Sequence, residues 1–181
     1  EIFIPITVGG GIKTVDDARV ILRSGADKVA INTEAVLNPN LISQLAKEFG
    51  KQCVVLSIPC KTDDDIKWEV YTNGGREKTG LEVLEWAKKA ISLGAGELLI
   101  TSIDKDGLRN GFDLNLMRKF SEIDDVPIIV SGGLGKPAHI SDLLSVSNCE
   151  AIAAADFLHM KRGNIKDLKD NILVSNFKVR L

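Results

Sequence analysis

The sequence predicts a parallel α/β fold of the barrel kind, with an open sheet of six strands as the alternative. Three observations carry this. Buried-type strands alternate with amphipathic helices along the whole chain, the pattern of a parallel sheet joined by crossover helices. The chain also repeats itself: Ile4–Val8 runs into Gly9–Gly10–Gly11 as Val126–Val130 runs into Ser131–Gly132–Gly133. At one constant offset Pro5 falls on Pro127, Val8 on Val130, Gly10 on Gly132, Gly11 on Gly133 and Leu22 on Leu144, and Asn32–Thr33 falls on Ala154–Ala155. Two like halves close on themselves, which favours a barrel. Finally, the 181 residues make six β/α units, short by about two of the ~250-residue (β/α)8 barrel. The chain opens on Glu1 and enters a strand at once, so a missing leading quarter is expected.

The elements follow in order within a single domain, residues 1–181. Ile4–Val8 is an apolar strand of buried type. Thr14 caps a helix with Val15, Ala18, Val20, Ile21 and Leu22 on its apolar side, and Gly25 ends it. Lys28–Asn32 is the next strand. Asn38–Asn40 opens a helix with Leu41, Ile42, Leu45, Ala46 and Phe49 inward, closed by Gly50. Cys53–Ile58 is the third strand. Polar Thr62–Asp65 then breaks the pattern. Lys67–Tyr71 followed by Asn73–Gly75 reads as a hairpin, an insertion at about residues 62–78. It follows a strand's carboxyl end, where barrels place active-site loops. Leu81–Ser92 is a helix, Glu97–Ser102 the fourth strand and Ile103–Gly107 its exit loop. Asp113–Phe120 is a short helix, Ile128–Val130 the fifth strand and Pro137–Val146 its helix. Ala151–Ala154 is the sixth strand. Asp156 and Phe157 begin a short helix, and Ile165–Ile172 is the closing one.

The duplicated turn points to chemistry. Glycine has no Cβ to block an approaching anion, so backbone N–H groups after a strand can face a phosphate. Two such turns at matching positions imply two phosphate sites on one face.

Composition excludes other classes. Net charge is −2, from 23 basic and 25 acidic residues with no basic block, which argues against nucleic acid. No apolar run reaches the ~18 residues of a membrane helix, and no secretory signal is present. Cys53, Cys60 and Cys149 are sparse and irregularly spaced, as in reduced, cytoplasmic proteins, with Cys53 and Cys60 in or near the core. His139 and His159 have no second plausible ligand nearby, so no metal is expected. Gly9–Gly11 lacks the Gly-x-Gly-x-x-Gly spacing of a dinucleotide site, and no cofactor is expected.

Four stretches resemble a known family: Ile4–Ile12 (IPITVGGGI), Gly25–Thr33 (GADKVAINT), Leu99–Gly107 (LITSIDKDG) and Pro127–Gly135 (PIIVSGGLG). They are similar to the cyclase subunit of imidazole glycerol phosphate synthase, HisF, and the resemblance covers essentially the whole chain. The Thr101–Gly107 run fits the cyclase better than its sister isomerase, HisA, which stays as an alternative. The resemblance implies a TIM (β/α)8 barrel entered at its third β/α unit, and a lyase-type cyclase of histidine biosynthesis. That family takes ammonia from a glutaminase partner, adds it to a ribulosyl intermediate with a phosphate at each end, closes the imidazole ring and releases an aminoimidazole ribonucleotide. By match, Gly11, Asn32 and Thr33 look like one phosphate cradle. Gly107, Gly132, Gly133, Ala154 and Ala155 look like the other, and Asp106 resembles the family's catalytic aspartate at the substrate's edge.

The departures are specific. The first strand's catalytic aspartate has no counterpart here, and where the fifth strand reads Ile-Asp-Ala-Lys this chain has Ile58–Pro59–Cys60–Lys61. Proline offers neither acid nor base. Ala155 replaces the usual serine, and Asp156, read as a helix N-cap, follows it. Relatives of this cyclase also serve surface-sugar biosynthesis, where they look to pass ammonia to an amidotransferase; that conduit role is the second reading. At the opposite mouth, Lys28 and Glu97 open strands whose inward side chains share layers, and an unpaired charge there would be costly. The resemblance makes them an ammonia gate, with a glutaminase docking on the face of Asp27 and Lys28.

Overall fold

The structure is a computed structural model that describes residues 3–179. Its elements are β1 (Thr7–Gly9), α1 (Val15–Arg23), β2 (Lys28–Ile31), α2 (Thr33–Leu37), α3 (Asn40–Phe49), β3 (Val54–Thr62), β4 (Trp68–Thr72), β5 (Glu77–Glu82), α4 (Val83–Leu93), β6 (Glu97–Ser102), α5 (Leu114–Lys119), β7 (Ile128–Ser131), α6 (Ala138–Leu144), β8 (Ala151–Ala153), α7 (Asp156–His159) and α8 (Ile165–Val174). Six strands pair in parallel in the order β1-β2-β3-β6-β7-β8. That order follows the chain without reversal. A doubly wound sheet reverses its order at a switch point, and none occurs among the described residues. The sheet is therefore of the barrel type, wound one way.

Alternation along the strands sorts the two faces. Val29, Ile31, Leu56, Ile58, Leu98, Ile100, Ile128 and Val130 are buried and pack in one cluster with Ala18, Leu41, Leu45, Ala87, Leu116 and Leu143 of the helices. Burying a side chain of this size contributes about 1.5–3 kcal/mol. The alternate residues Lys28, Ala30, Ser57, Pro59, Leu99 and Thr101 are half-buried, as a concave inner face requires. The repeat survives in three dimensions: β1–α1–β2 and β7–α6–β8 occupy corresponding stretches of the two halves.

Four elements differ from the sequence expectation, one of them β3, which runs past the expected end at Ile58 to Thr62 and pairs there with β4. The strand expected at Ile4–Val8 begins at Thr7 and is exposed throughout. The Ile6 N–H donates to the Asp27 carboxylate at 2.7 Å and the Ile6 carbonyl accepts the Asp27 and Lys28 N–H groups, so the turn uses Ile6 before the ladder starts. β1 is also a sheet edge, with β2 as its sole partner among the described residues. Thr33–Leu37 forms an extra helical turn straight after β2. The hairpin is longer than its sequence suggests: β5 runs through Leu81 and Glu82, and α4 starts at Val83. Glu82 ends the strand and caps the helix, accepting the Leu84 and Glu85 N–H groups at 2.8 and 3.0 Å.

A buried carboxylate fixes the hairpin to the β6 exit loop. Asp113 caps α5 by accepting the Leu116 N–H at 3.0 Å through one oxygen. The other oxygen accepts the Trp68 indole N–H at 2.9 Å and the Ser102 hydroxyl at 3.2 Å. Trp68 is almost fully buried, with the Lys119 ammonium 5.5 Å from its ring centre. Asp113→Ala removes a cap and orphans two buried donors. We expect a loss of ~2–4 kcal/mol, read in urea unfolding as a lower midpoint with an unchanged slope.

Candidate functional site

Both glycine turns lie at the carboxyl ends of parallel strands, and each opens onto a cavity. The first has a volume of about 640 Å³ and is bounded by Gly9–Lys13, Ala30–Glu34 and the hairpin residues Asn73 and Gly74. Gly10 and Gly11 have φ of +104° and +70°, and a Cβ at either would meet nothing within 4 Å. The space where their side chains would stand is open. Asn32 donates its side-chain amide to the Tyr71 carbonyl at 3.0 Å, while its buried Oδ1 has no donor. A buried acceptor without a protein donor is open to one from water or a ligand. Thr33 Oγ1 accepts the Asn73 N–H at 3.1 Å, so the hairpin tip is tied over this turn. Gly11, Asn32 and Thr33 are thus brought together. Asn73 and Gly74 read from the sequence as a hairpin turn and not as part of this site, because a contact forty residues away in sequence leaves no local pattern.

The second cavity, about 220 Å³, brings Gly107, Gly132, Gly133, Ala154 and Ala155 together with Asp106, Arg109 and Asp156. The glycines here have a packing duty that the first pair lacks. A Cβ on Gly132 would lie 2.7 Å from the Ser102 carbonyl oxygen, and one on Gly133 only 2.1 Å from that of Gly111. Asp106 sits on the rim, exposed, in a turn closed by its N–H donating to the Ser102 carbonyl at 3.0 Å. No hydrogen bond to its carboxylate occurs among the described residues. Its neighbour Asp104 is engaged, accepting the Thr62 N–H at 2.9 Å. Pro59 is half-buried opposite Thr101 in the ladder, on the inner face, and carries no acid or base.

Asp156 departs from its expected role. Ala155 occupies the N-cap position of α7 and Asp156 is the first helical residue. Its carboxylate accepts from Arg109 Nη2 at 3.3 Å and from Arg162 Nε at 2.9 Å, and Arg109 Nε stands in ion-pair contact with it at 2.9 Å. The hydrogen bond from Arg162, and then the charge of Arg109, hold the Asp156 carboxyl below its ordinary value of 3.8. A carboxyl depressed in the folded state stabilises it above the ordinary value, and that contribution is lost as pH falls through the lower folded value. Wild type and Asp156→Asn should therefore differ in Tm near neutrality and converge in acid, as measured by thermal unfolding at a series of pH values.

At the opposite end of the sheet, Lys28 Nζ donates to Glu97 Oε2 at 2.8 Å across the intervening β3, and both residues are half-buried. Asp27 beside them is exposed and held by the Ile6 N–H. Burial pushes the Cys60 and Cys149 thiols up, so both stay protonated near neutrality. His139 is buried and its Nδ1 accepts the Gly135 N–H at 3.2 Å. Among the described residues no group of three His, Cys, Asp or Glu side chains is placed to hold a metal, and no helix is long and apolar enough to cross a membrane.

A one-way parallel sheet with paired glycine turns at the strands' carboxyl ends defines a β/α-barrel-type protein. The family described as "Histidine biosynthesis protein" matches residues 1–164, and the chain belongs to it. It is 48% identical over 181 residues to the imidazole glycerol phosphate synthase subunit HisF of Lachnoclostridium phytofermentans, an alignment covering 99% of this chain and 70% of that relative.

Proposed function

We propose that the chain works as a HisF-type cyclase subunit of imidazole glycerol phosphate synthase in histidine biosynthesis. The observation that carries this is the pair of open glycine-turn cavities on one face, with the unengaged Asp106 carboxylate on the rim of the second. A ribulosyl intermediate with a phosphate at each end spans the two: Gly11, Asn32 and Thr33 receive one phosphate, and Gly107, Gly132, Gly133, Ala154 and Ala155 the other. Unpaired Asn32 Oδ1 accepts from a ligand hydroxyl or N–H. Asp106, free of internal partners, accepts or returns a proton as ammonia adds and the imidazole ring closes. The products are imidazole glycerol phosphate and an aminoimidazole ribonucleotide. The chemistry uses no metal or organic cofactor, and the enzyme works in the cytoplasm. Calorimetric titration with the bisphosphorylated intermediate tests the reading. Binding that inorganic phosphate competes away supports it, and no binding refutes it.

The outer edges of β1 and β8, unpaired among the described residues, are filled by further β/α units that complete an eight-unit barrel. An intact mass of the cellular protein equal to the 181-residue chain, with cooperative unfolding, argues against that completion. The Lys28–Glu97 pair is the ammonia gate at the opposite mouth, and a glutaminase docks over it near Asp27. Lys28→Ala should weaken glutamine-dependent turnover about tenfold or more, as loss of one partner of a half-buried charge pair does, and leave turnover with ammonium salts within about twofold. Equal losses in both assays would make Lys28 structural.

A second reading rests on Pro59, which puts no acid where the family has one. In it the chain conducts ammonia to a sugar amidotransferase without turning over a bisphosphate. The calorimetric titration separates the two, since a conduit has no use for the bisphosphate.

A further inference from the structure

The second glycine turn carries a side-chain cation for which the two cradles give no reason. Arg109 lies on the cavity rim with its backbone in the left-handed region, φ +60°. That conformation is uncommon away from glycine. Gly135 packs tightly against it, and a Cβ there would lie 2.1 Å from the Arg109 carbonyl oxygen. The close packing fixes where the Arg109 side chain begins. Its guanidinium faces Asp156, with Nη2 donating to Oδ1 at 3.3 Å and Nε in ion-pair contact with Oδ2 at 2.9 Å. Arg162 Nε shares the same Oδ2 at 2.9 Å. Two cations therefore share one carboxylate beside a cavity lined by backbone glycines, with Asp106 on the same rim.

A planar guanidinium that grips a carboxylate grips a phosphate in the same two-point way, and a phosphate dianion offers more charge than Asp156. Arg162 keeps Asp156 paired when Arg109 leaves. Resting on the reading of this turn as a phosphate cradle, we propose that Arg109 is its phosphate-binding side chain, with Asp156 as an internal competitor that holds Arg109 when the site is empty and passes to Arg162 when it fills. The arrangement also accounts for an acidic residue beside a phosphate cradle: paired with two arginines, Asp156 does not repel the ligand. The device selects a dianionic phosphoryl group over a monoanion, because the ligand must outbid a carboxylate. The first turn has no arginine among its lining residues and serves as the internal reference.

The test is a titration of the ¹⁵N-labelled intact protein with inorganic phosphate, reading the amide shifts of Gly107, Gly132 and Gly133 against those of Gly10 and Gly11. Arg109→Met should weaken binding at the second turn about tenfold and leave the first unchanged, which also reports that the variant is folded. Arg109→Lys should restore part of the loss. Asp156→Asn, which removes the competitor, should tighten the second turn about threefold. Equal second-turn affinity in wild type and Arg109→Met, or weaker binding in Asp156→Asn, overturns the assignment while the cradle reading stands. Absence of any phosphate-dependent shift at either turn in the wild type overturns the cradle reading and this inference with it.

Discussion

Gly133→Ala is expected to destabilise the protein by ~4 kcal/mol, whereas Gly11→Ala, at the twin position of the repeat, should cost only ~1 kcal/mol. Both residues have positive φ, +104° and +70°, so both alanines meet backbone strain. Only Gly133 adds a clash, because its new methyl would lie 2.1 Å from the Gly111 carbonyl oxygen and 3.1 Å from the Phe112 N–H nitrogen. Those are backbone atoms, held by the Gly111 N–H donating back to the Gly133 carbonyl at 2.9 Å. Relief requires moving the β6 exit region, which carries Asp106 and leads into the Asp113 cap. Chemical denaturation gives the two stabilities. Phosphate affinity should fall at the second turn in Gly133→Ala. Comparable losses for the two variants would mean that the second turn relaxes more easily than its packing implies.

Asp106→Asn is expected to lower ammonia-dependent cyclisation by about 10²-fold or more while changing bisphosphate affinity by less than about threefold. The asparagine keeps the shape of the rim and removes the proton acceptor. The turn itself is held by the Asp106 N–H and the Ser102 carbonyl, which the substitution does not touch. Steady-state kinetics with ammonium salts, paired with calorimetry, separates kcat from binding. Unchanged kcat would remove Asp106 from the chemistry, and a loss carried entirely by binding would make it a positioning residue.

Much of the scaffold was legible because its signals are local. Apolar runs marked the parallel strands, Thr14 announced a helix cap, which the structure completes as a capping box with Asp17, and the glycine repeat located both turns. Where the reading slipped, distant partners decided. β1 reads as a strand from Ile4, yet its ladder starts at Thr7, because Ile6 is bonded to Asp27 and Lys28. β5, Glu77–Lys78–Thr79–Gly80–Leu81–Glu82, lacks an apolar alternation and forms because β4 offers it a ladder. Asp156 reads as a helix cap from the residues around it. Its actual role comes from Arg109, which is 47 positions away and arrives only because an unusual backbone conformation packs against Gly135. The pairing of Lys28 with Glu97 was readable from strand parity, since the two inner faces share a layer.

The account stands most directly on turnover by the intact protein supplied with the bisphosphorylated ribulosyl intermediate and free ammonia, with products resolved by chromatography. Imidazole glycerol phosphate and the aminoimidazole ribonucleotide should appear in equal amounts, with a rate that rises with ammonia and is unchanged by a chelator. Recovery of the bisphosphate intact, by a protein that still binds it at both glycine turns, would contradict the cyclase reading.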